Sequence, residues 1–408
     1  MRYTRLARTF CVVVLVAASA QAASAGPAPA PAGGDDSRGR ACAATPRPGD
    51  GPARTVLEIA EQVKRELDLN SVILRVTYGG RELVTAGLGE SMTGVPADPA
   101  MHFRTGSVGI AYMGTTLLRL VDEGRVGLDD PVARWLPELP NADHITLRML
   151  ANSSSGLTDY VTNADFLAAL TAAPFKHWTP EELIGVSLSK PVWYEPGTNW
   201  SYSHANFVLL GAALERITGT RLDVLLRQYV TDPLRLDETR NSFTPDIPTP
   251  VQHAFTSERG MYEESTFWNP SWTTAPGAVL TGDICDLTAS AEGIGSGRLL
   301  SPQSHRELLN PGTVGLGTPT ATCPASVCMP NTEEKHFGMG VIVLGDWILQ
   351  NPSFSGYAAV QSYLPAERLA IAVSTTKGKA TPPGTNTAEI IMNRIAAALA
   401  PDHPLPAP

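Results

Sequence analysis

Phe103-Arg104-Thr105-Gly106-Ser107-Val108 opens a run over residues 107–123 in which apolar positions recur at helical spacing, and Leu120-Val121-Asp122-Glu123-Gly124 brings it to a stop. A serine at a helix N-terminus has backbone N–H groups and the positive end of the helix dipole beside it, an arrangement suited to an oxyanion. Its hydroxyl still needs a base before it can attack a carbonyl. The residue one helical turn on, at i+3, is Ile110, which cannot take a proton.

Outward from this helix, the pattern divides into three. Before it, a helix is expected over 55–67, with Val56, Ile59, Ala60 and Val63 on one face; two β-branched runs follow at 71–77 and 81–86, hinged by Gly79-Gly80. After it, the chain reads as mostly helical to about residue 245, with many Pro and Gly breaks. Strand patterns return at 339–344, 347–350, 357–364 and 369–374, and an amphipathic helix fits 387–399 before a Pro-rich tail at 401–408. Strands at both chain ends around a helical middle imply an α/β (α+β) fold: one sheet domain, 54–400, with an all-helical insert at about 115–260.

The 408 residues, 43% hydrophobic and 17% charged, suffice for a substantial core and exclude a disordered or fibrous chain. With 31 Lys and Arg against 40 Asp and Glu, the net charge of −9 and the lack of a basic cluster argue against a nucleic-acid partner. Residues 1–25 read as a signal peptide: Arg2, Arg5 and Arg8, an apolar stretch over 11–20, and Ala23-Ser24-Ala25 as cleavage site. Cleavage before Gly26 would take the charge to −12 and leave no stretch long enough to span a membrane. The expected product is a secreted monomer that begins with a Pro-, Ala- and Gly-rich linker over 26–53.

Export decides how the cysteines are read. Cys42, Cys285, Cys323 and Cys328 remain, an even number for an oxidising compartment; Cys323 and Cys328 are expected to form a local disulfide, and Cys42 and Cys285 could bridge the N-terminal arm to the body. His144, His177, His253 and His336 are scattered singly and no HExxH occurs, so neither metal nor cofactor is expected.

The nucleophile segment resembles that of the penicillin-recognising serine enzymes: class C β-lactamases, related esterases and D-alanyl-D-alanine carboxypeptidases. Leu128-Asp129-Asp130-Pro131-Val132, Ser155-Gly156-Leu157, Glu195-Pro196-Gly197, Tyr202-Ser203, Phe337-Gly338-Met339-Gly340 and Gly356-Tyr357 agree with it in order, across about residues 55–400. The resemblance implies a β-lactamase/transpeptidase-like fold, an antiparallel sheet flanked by helices, with the site in a cleft against the helical insert.

The resemblance also exposes what is missing. The family's SxxK lysine is Ile110, and its Tyr-x-Asn reads Tyr202-Ser203-His204. Counted back from Gly356-Tyr357, the Lys/His-Thr/Ser-Gly positions fall on Gln350, Asn351 and Pro352, with Ser353 supplying the second oxyanion N–H. The family's carboxylate-binding Arg falls in the apolar Val341-Ile342-Val343. Loss of both cations implies an uncharged ester, lactone or amide in place of a stem peptide.

Two readings follow. In one, His204 replaces the lysine as base for Ser107, with Tyr202 as proton relay or oxyanion donor, since imidazole is a competent base at neutral pH. In the other, the chain is a silent homologue whose cleft binds a small-molecule or cell-wall-derived acyl ligand. Trp268 to Trp272 either lines an apolar pocket or packs between domains. Asn152 to Ser155 and Asp159-Tyr160 resemble the family's helical-domain loop, with Ser153 where the family has a histidine, and are read as a brace for the cleft.

Overall fold

The computed structural model describes residues 42–406; the signal peptide expected at 1–25 and the linker up to residue 41 lie outside them. A nine-stranded antiparallel sheet forms the larger layer. Its order is Val95–Pro96, Arg81–Met92, Leu69–Tyr78, Leu369–Lys377, Tyr357–Leu364, Trp347–Gln350, Ile342–Leu344 and Lys335–Phe337, with Ser353–Phe354 folded onto Tyr357–Leu364. The first strands of the chain thus pair with the last, Val72 opposite Thr375 and Val76 opposite Ile371.

Side-chain alternation packs this sheet on both faces. Ile371 and Val373 point outward to the terminal helices Pro52–Glu66 and Thr387–Leu399, where Val56, Ala60, Val63, Ile391 and Ile395 are fully buried. Each such side chain contributes about 1.5–3 kcal/mol by leaving water. The intervening Ala370 and Ala372 are small, and the inner helix Ile284–Gly295 lies against this face. The last helix starts where Asn386 accepts a hydrogen bond from the Glu389 N–H, and Glu389 complements the dipole in the first turn.

Between the sheet domain and the helices of the insert runs Val108–Asp122, buried over nearly its whole length. Gly109 makes this possible: a Cβ there would lie 2.2 Å from the Ala278 carbonyl oxygen. Helices Leu147–Ala151, Ala164–Ala172, Pro180–Leu188 and His204–Thr218, followed by a helical run from Leu222–Leu226 to Asp232–Leu234, make up the rest of the insert.

Three expectations need correction. Helices of the insert end by Leu234; short strands follow at Arg240–Asn241, Phe255–Thr256 and Glu263–Glu264, because the Pro-rich chain beyond 244 cannot sustain a helical ladder. The strand expected from 339 starts only at Ile342, since Gly340 takes a left-handed φ of 80° in a turn closed by Gly338 N–H on the Val341 carbonyl. The linker expected to stay loose to residue 53 is fixed from Cys42 onward. Cys42 is bonded to Cys285, and Thr45 N–H donates to the Thr85 carbonyl at 2.9 Å. The Pro-rich tail is also docked, with the Trp347 indole donating to the His403 carbonyl at 3.0 Å.

Two buried features set stability. The Cys42–Cys285 bond closes a sequence separation of 243 residues. Replacing both cysteines by serine is expected to lower the unfolding free energy by about 2–4 kcal/mol in urea titrations. Asp283 caps the inner helix, and beside it Asp286 accepts from Glu238 N–H at 2.8 Å and from the Thr239 hydroxyl at 2.9 Å. Burial, reinforced by the Asp283 charge, pushes the Asp286 carboxyl up to about 7. The folded state therefore holds a proton that the unfolded chain releases, so stability falls as pH rises from about 4 to about 7. Asp286→Asn should be more stable than the parent at pH 8, by roughly a few kcal/mol, and lose that advantage near pH 4 in the same titration.

Candidate active site

Ser107 stands at the N-cap of Val108–Asp122, half-buried, and the turn before it depends on Gly106, whose φ is +48°. A Cβ on Gly106 would meet the Pro352 ring at 2.6 Å and the Phe354 ring at 2.8 Å. The short strand Ser353–Phe354 is therefore the wall opposite the nucleophile. That strand is held by a tight hairpin, in which Ser355 and Gly356 have φ of 49° and 84°, the left-handed pair such turns need.

On the other side, the Tyr202 phenol lies beside the Ser107 side chain. Burial holds this phenol well above its ordinary pKa, and the nearby Ser107 hydroxyl offsets that only in part. Tyr202 is thus a neutral hydroxyl at physiological pH, able to pass a proton on or to donate a hydrogen bond.

His204 is the first residue of the helix His204–Thr218. Its Nδ1 lies 2.9 Å and 3.2 Å from the two carboxylate oxygens of Asp159, whose side chain is only 4% exposed. A carboxylate accepts only, so this pairing puts the ring hydrogen on Nδ1. The imidazole packs edge-on to the Tyr202 ring at 5.0 Å between centroids, with Tyr160 at 5.7 Å and Trp272 at 6.1 Å.

The 152–155 loop braces this segment. Ser153 donates to the Ser201 carbonyl at 2.9 Å and accepts from Ser203 N–H at 3.0 Å and from Asn206 Nδ2 at 2.9 Å. One hydroxyl thereby ties down both residues that flank Tyr202. From outside, the Cys323–Cys328 bond closes a loop that leans on the same stretch: Asn199 donates to the Thr318 carbonyl at 2.8 Å, and Thr322 to the Trp193 carbonyl at 2.6 Å.

The structure therefore brings Ser107, Tyr202, His204 and Ser353 to one locality. Gln350 and Asn351 do not present their amides to it. Gln350 is buried and donates to the Gly340 carbonyl, and Asn351 donates to Glu389 on the last helix at 2.9 Å. Their assignment to substrate binding is corrected accordingly: the strand continues through them, but both side chains are taken up in holding the fold.

Trp268 and Trp272 divide between the two roles expected for their segment. Trp268 is buried, and its carbonyl accepts from the guanidinium of Arg104, which also donates to the carbonyls of Pro245 and Thr266. Burial lowers this guanidinium to about 10, and it remains charged at neutral pH. Trp272 instead faces the site, 5.9 Å from the Phe354 ring. Tyr202, Phe337, Trp272 and Phe354 give the locality an aromatic lining. Among the described residues no group of three or more His, Cys, Asp or Glu side chains is placed to hold a metal ion.

Asp159 was read from the sequence only as part of the brace loop, and its pairing with His204 was missed. It lies 45 positions before His204, a separation without a periodic signature. Its available signal was the Ser155-Gly156-Leu157 motif immediately before it, which fixes the loop but says nothing about which ring its carboxylate meets.

Comparison with known proteins agrees with this geometry. The chain is 22% identical over 285 residues to the putative penicillin-binding protein PbpX of Bacillus subtilis, covering 65% of this chain and 68% of that protein. It is 30% identical over 189 residues to the esterase EstB of Burkholderia gladioli, covering 43% of this chain and 48% of that one. Among solved structures, the D-amino acid amidase of Ochrobactrum anthropi SV3 in complex with L-phenylalanine amide superposes with a TM-score of 0.71 at 22% identity, over 86% of this chain and 99% of that one. A D-stereospecific amidohydrolase from a Streptomyces species gives 0.68 at 22% identity, over 87% and 99%. The profile of the family described as Beta-lactamase matches residues 58–394, and with the serine helix, the phenol beside it and the antiparallel sheet in place, the chain belongs to the beta-lactamase family.

Proposed function

We propose that the protein is an exported serine acyl hydrolase or acyl transferase, acting on an uncharged ester, lactone or amide through Ser107 with a base other than lysine. The observation that carries this reading is the placement of the buried Tyr202 phenol beside the Ser107 side chain at a helix N-terminus. A silent descendant has no need to keep a protonated relay on its serine. His204, packed against that phenol, is the base, and Tyr202 carries the proton between them.

Ser107 Oγ bonds to the substrate carbonyl carbon as its proton moves to Tyr202 and the Tyr202 proton to His204. The N–H groups of Ser107 and Ser353 take the oxyanion. When the carbonyl re-forms, the bond to the leaving oxygen or nitrogen breaks and the proton returns through the phenol to the leaving group. Water, or another nucleophile, then releases the acyl group and restores the Ser107 hydroxyl.

The aromatic lining and the absence of a cation at 350–352 support an uncharged acyl substrate, of small-molecule or cell-wall origin. Relatives named as an esterase, an amidase and an amidohydrolase support ester or amide chemistry. Two disulfides support the export reading. One observation favours the alternative, a ligand-binding homologue without turnover: position 110 is a fully buried isoleucine.

Intact-protein mass after incubation with a fluorophosphonate and, in parallel, a penicillin separates the two. One adduct per chain is expected with the fluorophosphonate, absent in Ser107→Ala. His204→Asn and Tyr202→Phe should each slow labelling by about 10²-fold or more. No adduct on folded wild-type protein overturns the hydrolase reading in favour of ligand binding.

A further inference from the structure

We infer that Asp159 is the positioning residue that makes His204 a base, so that the proton of Ser107 is drawn along a line of Tyr202, His204 and Asp159. The inference rests on the proposed role of His204 and extends it to a residue that no motif marks.

Asp159 is built into its loop rather than resting on it. Its carboxylate accepts from Val161 N–H at 3.2 Å, its carbonyl accepts from Thr162 N–H at 3.0 Å, and the neighbouring Thr158 hydroxyl donates to the Ser187 carbonyl at 2.7 Å. The loop can turn only because Gly156 adopts φ +82°; a Cβ there would lie 2.0 Å from the Tyr194 carbonyl oxygen. A nearly sealed carboxylate held this firmly has one polar side-chain partner, the Nδ1 of His204.

The chemistry follows from the donor inventory. With Nδ1–H given to Asp159, Nε2 keeps its lone pair and makes no hydrogen bond among the described residues; the contact with Tyr202 is between the rings, so the relay to this nitrogen forms as the site tightens around substrate. When that nitrogen takes the proton that Tyr202 relays from Ser107, the imidazolium formed already faces a carboxylate. The proton then returns by the same path to the leaving group, so Asp159 itself exchanges none. The groups facing the imidazole are Asp159 and Tyr160 from the brace loop, Tyr202 from its own segment and Trp272 from across the site, with Ser107 beyond the phenol. Lys190 lines, together with Asp159, a surface groove of about 340 Å³. Asp159 is the single carboxylate among these groups.

Asp159→Asn tests the inference with little change of shape. An amide can present its NH₂ to Nδ1, which drives the ring hydrogen to Nε2 and removes the acceptor. The rate of fluorophosphonate labelling across pH should fall by about 10²-fold or more in Asp159→Asn and recover in part in Asp159→Glu. Nitrogen-15 NMR of the histidine rings, with His204 assigned by loss of its signals in His204→Asn, should report Nδ1–H in the wild type and Nε2–H in Asp159→Asn. A purely structural carboxylate would alter thermal stability but neither tautomer nor the acid limb of the pH profile. Wild-type labelling that persists in Asp159→Asn with the same pH profile overturns the inference and leaves the hydrolase reading standing. An Nε2–H tautomer in the wild-type protein also overturns it, and that measurement requires no variant to fold. A wild-type protein that takes up no fluorophosphonate overturns both.

Discussion

The helix Val108–Asp122 is the constraint on which the rest is arranged. Because it is buried nearly all round, its first turn offers the Ser107 hydroxyl to the cleft while the positions behind it must be apolar. Ile110 meets that demand fully, at no exposed surface. An ammonium group in the same place would have to be compensated by several polar partners, since an unpaired buried charge is among the costliest features a core can hold. With isoleucine there, no such partners are needed, and on the proposed reading the proton acceptor comes from the other wall of the cleft.

That wall is organised by hydrogen bonds more than by apolar packing. Ser153 ties Ser201, Ser203 and Asn206 together, Trp200 donates its indole N–H to the Asn152 carbonyl at 2.8 Å, and the Cys323–Cys328 loop leans on Asn199. The consequence is a Tyr202-Ser203-His204 segment whose backbone has little freedom. Rigid support of this kind fixes the distance between a hydroxyl and its relay, on which proton transfer depends steeply. The opposite wall is set by a different device, a two-residue hairpin that delivers Ser353 and Phe354 against Gly106.

Much of this was legible in the sequence where local chemistry decides local structure. The last helix falls on residues 387–399 as its periodicity requires, and the strands at 347–350 and 357–364 coincide with their patterns. Ser107, Tyr202 and His204 could be found because each sits in or beside a short motif with its own backbone geometry. Gln350 and Asn351 show the limit of that approach. Their place on the strand was readable, but the Gly340 carbonyl and the Glu389 carboxylate that claim their amides come from elsewhere in the chain. Asp159 was hidden for the same reason in reverse: its importance lies entirely in a partner 45 residues away.

An aspartate–histidine pair in place of a lysine, as proposed, changes more than the identity of a base. A lysine one turn from the serine acts from within the buried helix and must be kept neutral by its surroundings to accept a proton. The imidazole of His204 sits at the start of another helix, 16% exposed, with its tautomer set by a buried carboxylate. The Tyr202 phenol links the two arrangements. Without a cation beside it, burial keeps it protonated, and a protonated phenol between serine and imidazole can hand on a proton without ever carrying a charge. On the proposed reading, Ile110, the neutral Tyr202 and the Asp159–His204 pair are therefore one coupled solution: an apolar helix core on one side, and the base placed at the rim of the cleft on the other.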